Sequence, residues 1–453
     1  MIRNRGALTD HGNRAARADA LGIAGAGIER VHPRTAVPSA VERDGDRLRV
    51  GDRAFDLGAV GRLSVVGAGK GASAVAAELE AVLGDAIDGG TIAEKAGGER
   101  ALDRLEVLGA GHPLPDETSL DAAGRVLETA DAAGEGDLVI AAVTGGASAL
   151  LAAPAGELTL ADLRETTDAL LGAGLRIDEI NTVRRHLSRI KGGRLTRRAA
   201  PATVVTLVIV DEVAGEPWGP TIPDGTTVGD ALAVVRRHDL ADELPPAVVE
   251  HLTRGAEAPE SSDLETPTGA DLADVDALPV VLAGPADAAE AAARAAGDRG
   301  YEPLILSTTI EGESREVATA LAGIAREVGE YGRPAEPPCA LISGGETTVR
   351  VVDDPGAGGP NQEFALQSAI DVAAEPGVTV LALGTDGTDG PTDVAGGLVD
   401  ASTVPRLDER GIDPHERLAR NDATPALRAV DDAVITGPTG TNVMDLRVTL
   451  VED

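Results

Sequence analysis

Several residue types are scarce in this chain, and each scarcity excludes a class of structure or site. The single cysteine, Cys339, leaves no partner for an intrachain disulfide and cannot form a thiolate cage around a metal ion. Five aromatic side chains among 453 residues are too few for a platform on which nucleic-acid bases stack. No apolar run is long enough to span a membrane, and residues 1–12 lack the apolar core of a signal peptide. We therefore expect a soluble, cytoplasmic protein.

Lysine is the scarcity that points to function. The chain has three lysines, Lys70, Lys95 and Lys191, against 37 arginines. Codon bias would explain the low number, but it does not explain why Lys70 and Lys191 stand in G-A-G-K-G and R-I-K-G-G-R. Because the ammonium group is a compact point charge and the guanidinium is a planar fork, arginine cannot replace lysine at every site. The surviving lysines are therefore candidate functional residues.

The chain is strongly acidic, with 75 acidic residues, 40 basic residues and a formal net charge of −35. Such a surface repels nucleic acid and anionic membranes, so neither is an expected partner. Hydrophobic residues make up 43% of the sequence, which excludes a disordered composition. Because salt screens self-repulsion, an acidic folded protein rich in arginine predicts a high-salt, halophilic cytoplasm.

Short apolar runs alternate with helical patterns along most of the sequence. Residues 63–66, 138–143 and 203–210 are predicted strands, and each is followed by a glycine-rich or polar turn. Strands that are apolar throughout and separated by helices predict a parallel α/β sheet. The acidic, proline- and serine-containing segment 254–277 predicts a junction between two α/β lobes, which we place at 1–260 and 270–453. In the second lobe the patterns predict strands at 278–283, 303–307, 378–383, 433–436 and 446–451, with helices at 286–296 and 313–328.

Two glycine-rich loops follow predicted strands, where ligands of open α/β sheets gather. In residues 67–73 the glycines and the start of a helix predict backbone N–H groups that approach an anion, and Lys70 adds positive charge. The alternative is a tight strand-to-helix turn. Residues 144–150 repeat this design without the lysine, and Ser148 is either a helix N-cap or a ligand donor.

Residues 180–194 predict one helix with a basic face. Asn181, Arg184, Ser188 and Lys191 recur at spacings of three and four, so they should line the same side. A basic face is usually only a solvated surface. In so acidic a protein it favours binding of an anionic substrate, and the fork of Arg184 suits a carboxylate.

Carboxylates and amides cluster in three further loops. Asp386, Asp389 and Asp393 share residues 383–393, which predicts either a Mg²⁺ site or a set of Asx turns. Thr439 and Asn442, in residues 435–445, are candidate nucleotide or substrate donors. After the third predicted strand come three more carboxylates, those of Asp211, Glu212 and Glu216.

These motifs together resemble the two-lobed glycerate 2-kinase family, whose C-terminal portion is called the MOFRL domain. The resemblance spans most of the chain. It rests on V-V-G-A-G-K-G-A, G-A-G-H-P-L-P-D-E, T-G-G-A-S-A-L-L, I-N-T-V-R-R-H-L-S-R-I-K-G-G-R-L, L-I-S-G-G-E-T-T-V, N-Q-E-F-A-L, T-D-G-T-D-G-P-T-D and T-G-P-T-G-T-N-V-M-D-L-R-V.

The resemblance implies a fold and an activity. The N-terminal lobe would be a Rossmann-like α/β/α layer structure, the C-terminal lobe a MOFRL-type α/β structure, and the active site would occupy the cleft between them. The enzyme would use ATP and Mg²⁺ to phosphorylate the 2-hydroxyl of glycerate, giving 2-phosphoglycerate and ADP. It would act as a monomer or homodimer.

Site residues follow by matching motifs. Lys70 would stabilise the transferred phosphoryl group, and Asp211 or Glu212 would accept the hydroxyl proton. The predicted substrate-binding residues are Gly69, Ser148, Asn181, Arg184 and Lys191. The predicted nucleotide-binding residues are Gly145, Gly146, Gly344, Gly345, Glu346, Asn361, Thr439 and Asn442. Asp386 and Asp389 would hold Mg²⁺ or order the loop that does.

The sequence departs from the family pattern at three places. Ala147 replaces a usual third glycine, and V-D-E-V-A-G-E replaces S-D-V-x-G-D. Pro360 replaces a usual arginine before N-Q-E, and Arg184, Arg185, Arg350 or Arg447 would have to compensate.

Two other functions stay open at this stage. One is a hydroxypyruvate reductase that uses NAD(P)H, although no convincing G-x-G-x-x-G with a following acidic residue is present. The other is a non-catalytic ligand-binding protein on the same fold, for which the missing arginine at Pro360 is the support.

Overall fold

A computed structural model describes residues 2–212, 217–258 and 264–452. Glu216 and part of the predicted junction at 254–277 lie outside the described residues. Within them, no helix is both long and apolar enough to cross a membrane.

The described elements are as follows. The strands are β1 (Val41–Asp44), β2 (Arg47–Val50), β3 (Arg53–Asp56), β4 (Leu63–Ala68), β5 (Thr91–Lys95), β6 (Glu106–Ala110), β7 (Leu138–Val143), β8 (Thr203–Ile209), β9 (Ala277–Ala283), β10 (Glu302–Glu313), β11 (Cys339–Thr348), β12 (Val378–Gly384), β13 (Gly396–Asp400), β14 (Ala433–Val434) and β15 (Asp445–Val451). The helices are α1 (Arg5–Leu8), α2 (Arg14–Val31), α3 (Pro33–Ala40), α4 (Ala72–Leu83), α5 (Glu117–Asp131), α6 (Ala147–Leu150), α7 (Leu160–Gly172), α8 (Ile177–His186), α9 (Arg194–Ala199), α10 (Val228–Arg237), α11 (Pro246–Glu257), α12 (Pro285–Gly297), α13 (Ser314–Tyr331), α14 (Pro360–Asp371), α15 (Thr403–Glu409), α16 (Pro414–Ala419) and α17 (Ala423–Ala429).

The chain divides into two compact units. The parallel-sheet unit comprises the described residues of Val37–Val208 and Pro217–Leu282. The mixed-sheet unit comprises those of Met1–Ala36, Ile209–Glu216 and Ala283–Asp453. The N-terminal residues up to 36 therefore group with the C-terminal part of the chain, whereas the sequence placed them in the N-terminal lobe.

A buried ion-pair network explains this grouping of the N-terminal residues. Arg17 on α2 is fully buried and pairs with Asp400 at 3.0 Å and with Asp432, both in the mixed-sheet unit. Arg406 also pairs with Asp432, at 2.7 Å. Because removing one partner of a buried pair leaves an uncompensated charge, this network fixes α2 on the mixed sheet. The sequence pattern of α2 did not reveal its long-range partners.

The parallel-sheet unit contains a six-stranded sheet with the strand order β6-β5-β4-β7-β8-β9. The pairs from β6 through β8 are all parallel. Renumbered from β4, this is the order 3-2-1-4-5-6 of doubly wound α/β folds, so the parallel sheet that was predicted is confirmed. The chain leaves β4 in one direction and returns to β7 in the other, which makes β4 and β7 the topological switch point. Ligands in such sheets bind outside the carboxyl ends of the strands at that point.

Local sequence explains where the helices of this unit begin. Capping boxes start α5, α7 and α10, through the pairs Asp116–Ser119, Thr159–Asp162 and Thr227–Asp230. Each box satisfies backbone N–H groups that have no partner within the helix. A separate antiparallel sheet, β1-β2-β3, was not predicted because its strands are only four residues long and rich in charge.

The mixed-sheet unit is built on a six-stranded sheet with the order β10-β11-β15-β12-β13-β14. β10 and β11 are parallel, and the remaining pairs are antiparallel. One face packs against α2 and α12, with Ile23, Ala292 and Val448 in the core, and the other packs against α13 and α14. The second α/β unit is therefore confirmed, although its sheet is mixed.

The predicted single helix over 180–194 is wrong. The helix α8 ends at His186, and α9 begins only at Arg194. Beyond His186 the chain pairs with residues 153–155, since Ala155 N donates to Leu187 O and Arg189 N donates to Ala153 O. Gly192 and Gly193, with φ of 62° and 81°, then form the turn that leads into α9. Ser188 and Lys191 are therefore in a turn and do not continue the face of Asn181 and Arg184.

Candidate active site

The loop that holds Lys70 uses its backbone N–H groups internally. Gly69 donates to Ala93 O at 3.1 Å, Lys70 to Gly145 O at 2.7 Å, and Gly71 to Thr144 Oγ1 at 3.2 Å. The next two N–H groups donate to Gly69 O and to a Glu94 carboxylate oxygen. The prediction that this loop offers N–H groups to an anion is therefore wrong. Gly69 is needed for space, since its φ is 142° and an added Cβ would lie 2.0 Å from Thr144 Oγ1.

The second glycine-rich loop has the free N–H groups instead. Among the described residues, the N–H groups of Gly145 and Gly146 have no hydrogen-bond partner. Gly146 has φ of 89°, and consecutive N–H groups beside a left-handed residue form a concave anion-binding nest. A Cβ added to Gly146 would lie 3.2 Å from Lys70 Cγ, so the lysine stem passes close to this nest.

Arg184 brings an unpaired cation to the same unit. Its half-buried guanidinium has no hydrogen-bond or ion-pair partner within the described part of the chain. Burial lowers the pKa of Arg184, because a desolvated charge without a partner is unfavourable. The neighbouring Arg185 is different, since its Nε lies 3.1 Å from an oxygen of the buried Asp224. An unpaired guanidinium of this kind suits an anionic ligand.

The ammonium of Lys191 is held by two backbone carbonyl groups. Its Nζ donates to Ser148 O at 2.5 Å and to Leu151 O at 3.1 Å, at the end of α6. Burial lowers the pKa of Lys191 well below its usual range, and Arg184 lowers it further. An ammonium has three donors, so one remains for a ligand.

Arg184, Lys191 and Ser148 line a small cavity of about 20 Å³. The Thr166 hydroxyl also lines it and is buried without a partner among the described residues. The volume is enough for about one water molecule. A ligand of the size of glycerate must therefore lie outside this cavity, with one oxygen at most inside. Asn181 lies three residues before Arg184 on α8, but it does not line the cavity.

His112 is a site residue that the sequence analysis missed. A Cβ added at Gly146 would lie 3.0 Å from His112 Nε2, which places the ring beside the nest. Burial, together with the charges of Lys70, Lys95 and Arg184, lowers the pKa of His112 to about 4. The positive charges of these three residues therefore all act on the His112 ring. The only sequence signal for His112 was the motif G-A-G-H-P-L-P-D-E. The spacing of residues in this motif does not by itself indicate a binding role for the histidine.

A second group of predicted residues comes together in the mixed-sheet unit. Asn442 Nδ2 donates to Asp211 Oδ2 at 3.1 Å, so the predicted base and one predicted nucleotide donor are in contact. Thr439 N donates to Asp386 O at 3.0 Å, and its hydroxyl donates to Thr385 O. Glu212 is half-buried beside Asp211. The loops after β8, β12 and β14 therefore meet.

Asp389 does not fit the predicted metal site. It is buried, and its two carboxylate oxygens accept hydrogen bonds from the backbone and side-chain nitrogens of Asn361 and Gln362, at 2.9–3.2 Å. Burial raises the pKa of Asp389 to about 6. This carboxylate caps α14, which corrects its assignment as a metal ligand. In the described ranges, no three His, Cys, Asp or Glu side chains are grouped to hold a metal ion.

Asn361 and the segment Gly344–Glu346 also have other roles than the predicted ones. Asn361 is buried, and its Nδ2 donates to Asp445 at 2.6 Å and to Asp389 at 3.2 Å. Gly344, Gly345 and Glu346 lie inside β11, where Gly345 pairs with Asp445 and Ile310. The sequence predicted them as nucleotide-binding residues. Gly345 occurs here because an added Cβ would lie 2.1 Å from Ile310 O.

Arg447 is excluded as the replacement for the arginine missing at Pro360. It is buried, pairs with Asp445 at 2.6 Å and lies 5.0 Å from the Phe364 ring centre. Arg185 is held by Asp224. Of the four candidates, Arg184 and the exposed Arg350 remain.

The comparisons with known proteins agree with the motifs. Residues 19–253 match a family described as a domain of unknown function, DUF4147, and residues 339–445 match the MOFRL family. A glycerate 2-kinase of Pyrococcus horikoshii is 37% identical over 434 residues, which are 95% of this chain and 96% of that protein. The chain belongs to the glycerate 2-kinase family.

Two further members of the family bear on fold and activity. The crystal structure of a glycerate kinase from Thermotoga maritima superposes with a TM-score of 0.83 at 36% identity, covering 96% of this chain and 99% of that chain. A relative in Agrobacterium vitis is named provisionally as a hydroxypyruvate reductase, with 41% identity over 396 residues, 86% of this chain and 87% of that protein. The family's fold is therefore that of this chain, while its members carry two activity names.

Proposed function

We propose that this protein transfers the γ-phosphoryl group of ATP to the 2-hydroxyl of glycerate, giving 2-phosphoglycerate and ADP. The observation that carries the proposal is the grouping of cations around the Gly145–Gly146 nest at the switch point of the parallel sheet. Two anionic reactants can approach each other only where positive charge offsets their repulsion. In a chain of net charge −35, such a group is a specialised site.

Lys70 and the nest are suited to the transferred phosphoryl group. In phosphoryl transfer, charge spreads over the oxygens of the transferred group, and catalysis is mostly positioning and charge stabilisation. Lys70 N donates to Gly145 O, which fixes the lysine backbone against the loop that carries the free N–H groups. Lys70 would neutralise the developing charge, and Gly145 and Gly146 would each donate to a phosphate oxygen.

Arg184 is the group best suited to the glycerate carboxylate. It is unpaired among the described residues, half-buried and next to the ammonium of Lys191. A planar guanidinium binds a carboxylate through two parallel hydrogen bonds. The Ser148 hydroxyl, on the same cavity, would contact the substrate as well.

Asp211 is the preferred proton acceptor for the substrate hydroxyl. Asp211 accepts a hydrogen bond from Asn442 Nδ2, which orients the carboxylate, and an ionised carboxylate is an acceptor for the hydroxyl proton. Glu212 is the alternative base. Both assignments are part of the proposal, as are the nucleotide contacts of Asn442 and Thr439.

Of the two predicted Mg²⁺ ligands, Asp386 is the one that we retain. Since Asp389 is saturated by four donors, a site with two protein carboxylates does not form there. Mg²⁺ commonly takes one or two carboxylates together with substrate phosphates, so Asp386 with the ATP phosphates is a reasonable donor set. The ion would supply charge neutralisation on the phosphate oxygens.

The test is phosphorus NMR of a mixture of the protein, ATP, Mg²⁺ and glycerate. We expect the signal of 2-phosphoglycerate to grow with that of ADP, and only when glycerate is present. Formation of 3-phosphoglycerate would contradict the proposed hydroxyl. Consumption of NADH with hydroxypyruvate, without ATP turnover, would instead support the reductase name of the Agrobacterium relative.

A further inference from the structure

His112 is placed to contact whatever anion the nest holds. Its loop follows β6, and its ring faces Gly146, with Nε2 3.0 Å from the position of an added Cβ. Lys70 Cγ is 3.2 Å from the same position, so the imidazole and the lysine stem both border the space above Gly146. The half-buried imidazole has no hydrogen-bond or ion-pair partner among the residues described. The two ring nitrogens of His112 are therefore available to form hydrogen bonds with a ligand bound beside the free N–H groups.

The charges around His112 come from three different elements and have one sign. Lys70 lies between β4 and α4, Lys95 ends β5, and Arg184 is on α8. The carboxylate in the loop of His112, Asp116, accepts hydrogen bonds from Gly111 N, Thr118 Oγ1 and Ser119 N. Burial and these cations lower the pKa of His112 to about 4, so the ring is neutral near neutral pH.

An oxyanion bound in the nest would change this balance. It would offset the repulsion from Lys70, Lys95 and Arg184, and it would accept a hydrogen bond from the ring. Both effects favour the imidazolium form. Binding of the anion and protonation of the ring are therefore linked, as any two events that alter each other's free energy are.

We propose that His112 contacts the oxyanion bound at Gly146 and takes up a proton from solvent as that oxyanion binds. The assignment rests on the proposed function, since it needs an anion in the nest. The oxyanion is either the carboxylate of glycerate or a phosphate group, and both have the required chemistry. In the imidazolium form His112 is one more cation on the reacting anions, a role that neither the family name nor the relatives' names assign.

The test is calorimetry of ligand binding in two buffers that differ in ionisation enthalpy, at pH 6.0 and pH 8.0. Glycerate, inorganic phosphate and ADP are titrated separately, which distinguishes the carboxylate from the phosphate. If the bound state restores an ordinary histidine pKa, about 0.7 proton is taken up per site at pH 6.0 and almost none at pH 8.0. His112→Gln should abolish this proton uptake. The ligand should still bind to this variant, but with lower affinity. His415→Gln, which removes an exposed histidine of the mixed-sheet unit, should leave it unchanged.

Two results would overturn the assignment. If no ligand that binds at pH 6.0 causes proton uptake, or if His112→Gln takes up as many protons, His112 is removed from the contact while the kinase proposal stays intact. Failure of every probe to bind would remove both proposals. Carbon-13 NMR of the histidine rings in the unsubstituted protein is the second measurement, since it does not depend on the folding of a variant. One ring should change from neutral to imidazolium on adding ligand at pH 6.0, and seven unchanged rings would contradict the proposal.

Discussion

Arg184 and Arg185 are adjacent in α8 and should respond oppositely to the same substitution. Arg184 has no partner in the described part of the chain and is partly desolvated, so its charge costs stability in the unliganded protein. Arg185 pairs with Asp224, which is buried. We expect Arg184→Met to keep or raise the free energy of unfolding. Arg185→Met should lower it by about 1–3 kcal/mol, because a buried carboxylate loses its cation.

For substrate binding the two substitutions should rank the other way, with Arg184→Met having the larger effect. A hydrogen bond to a charged group is worth about 1.5–3 kcal/mol, and each 1.4 kcal/mol is tenfold in affinity. Arg184→Met should therefore raise the KM for glycerate about 10- to 100-fold and leave the KM for ATP nearly unchanged. Arg185→Met should leave both values within a few-fold.

Two assays decide this prediction. Denaturant unfolding is followed by the fluorescence of Trp218, the only tryptophan, which lies in the parallel-sheet unit. Steady-state kinetics with each substrate varied gives the two KM values. A loss of stability in Arg184→Met, or an unchanged KM for glycerate, would refute the reasoning that an unpaired guanidinium is reserved for the substrate.

Three other predictions follow from the same structure. Gly146→Ala should lower kcat/KM by at least tenfold with little loss of stability, because its φ of 89° is strained for alanine and the added Cβ would press on His112 and Lys70; normal kinetics would contradict this. His186 is fully buried, and burial lowers its pKa, so the unfolded chain binds protons below about pH 6.5 before the folded one does. The free energy of unfolding, followed by Trp218 fluorescence, should fall as the pH drops below that value, and His186→Gln should reduce this fall. A free energy of unfolding that rises as the pH drops would contradict the prediction. Finally, the net charge of −35 predicts a denaturation midpoint that rises with KCl concentration up to the molar range, whereas full stability in dilute buffer would count against a halophilic protein.

The strands of the parallel sheet could be predicted because they are apolar along their whole length. Both β4 and β7 are buried at every residue, and such runs differ clearly from the helical patterns around them. The same reasoning predicts where the loops after these strands lie, since parallel strands end at one edge. It does not predict β1, β2 and β3, which are short, charged and only partly buried.

The two glycine loops show why the site could be predicted only in part. Both have the glycines of an anion-binding loop. In residues 67–73 the N–H groups form hydrogen bonds within the protein, whereas in residues 144–150 those of Gly145 and Gly146 form none with the described residues. The difference depends on Ala93, Thr144 and Glu94, which are distant in sequence from residues 67–73 and come close only in the folded sheet. Hydrogen-bond partners of this kind leave no mark on the local pattern. The burial of Asp389 and Asn361 was hidden for the same reason.

The helix predicted over 180–194 is wrong because the chain after His186 pairs with residues 153–155, and local spacing does not show such contacts. Arg184 does lie on α8, and it lines the cavity. Lys191 reaches that cavity from a turn, through an ammonium held by two carbonyl groups. The spacing therefore predicted that Lys191 and Arg184 lie close together, but it did not predict that backbone carbonyl groups hold the Lys191 ammonium.

The central claim is that Lys70 neutralises charge on the phosphoryl group as it moves from ATP to glycerate. The most direct measurement is kcat for Lys70→Ala at saturating ATP and glycerate, with the fold checked by circular dichroism. Loss of one charge-stabilising donor costs about 10²–10³ in kcat, and we expect a decrease of at least this size with the fold unchanged. A kcat within a few-fold of the unsubstituted enzyme would remove Lys70 from the mechanism and contradict the account.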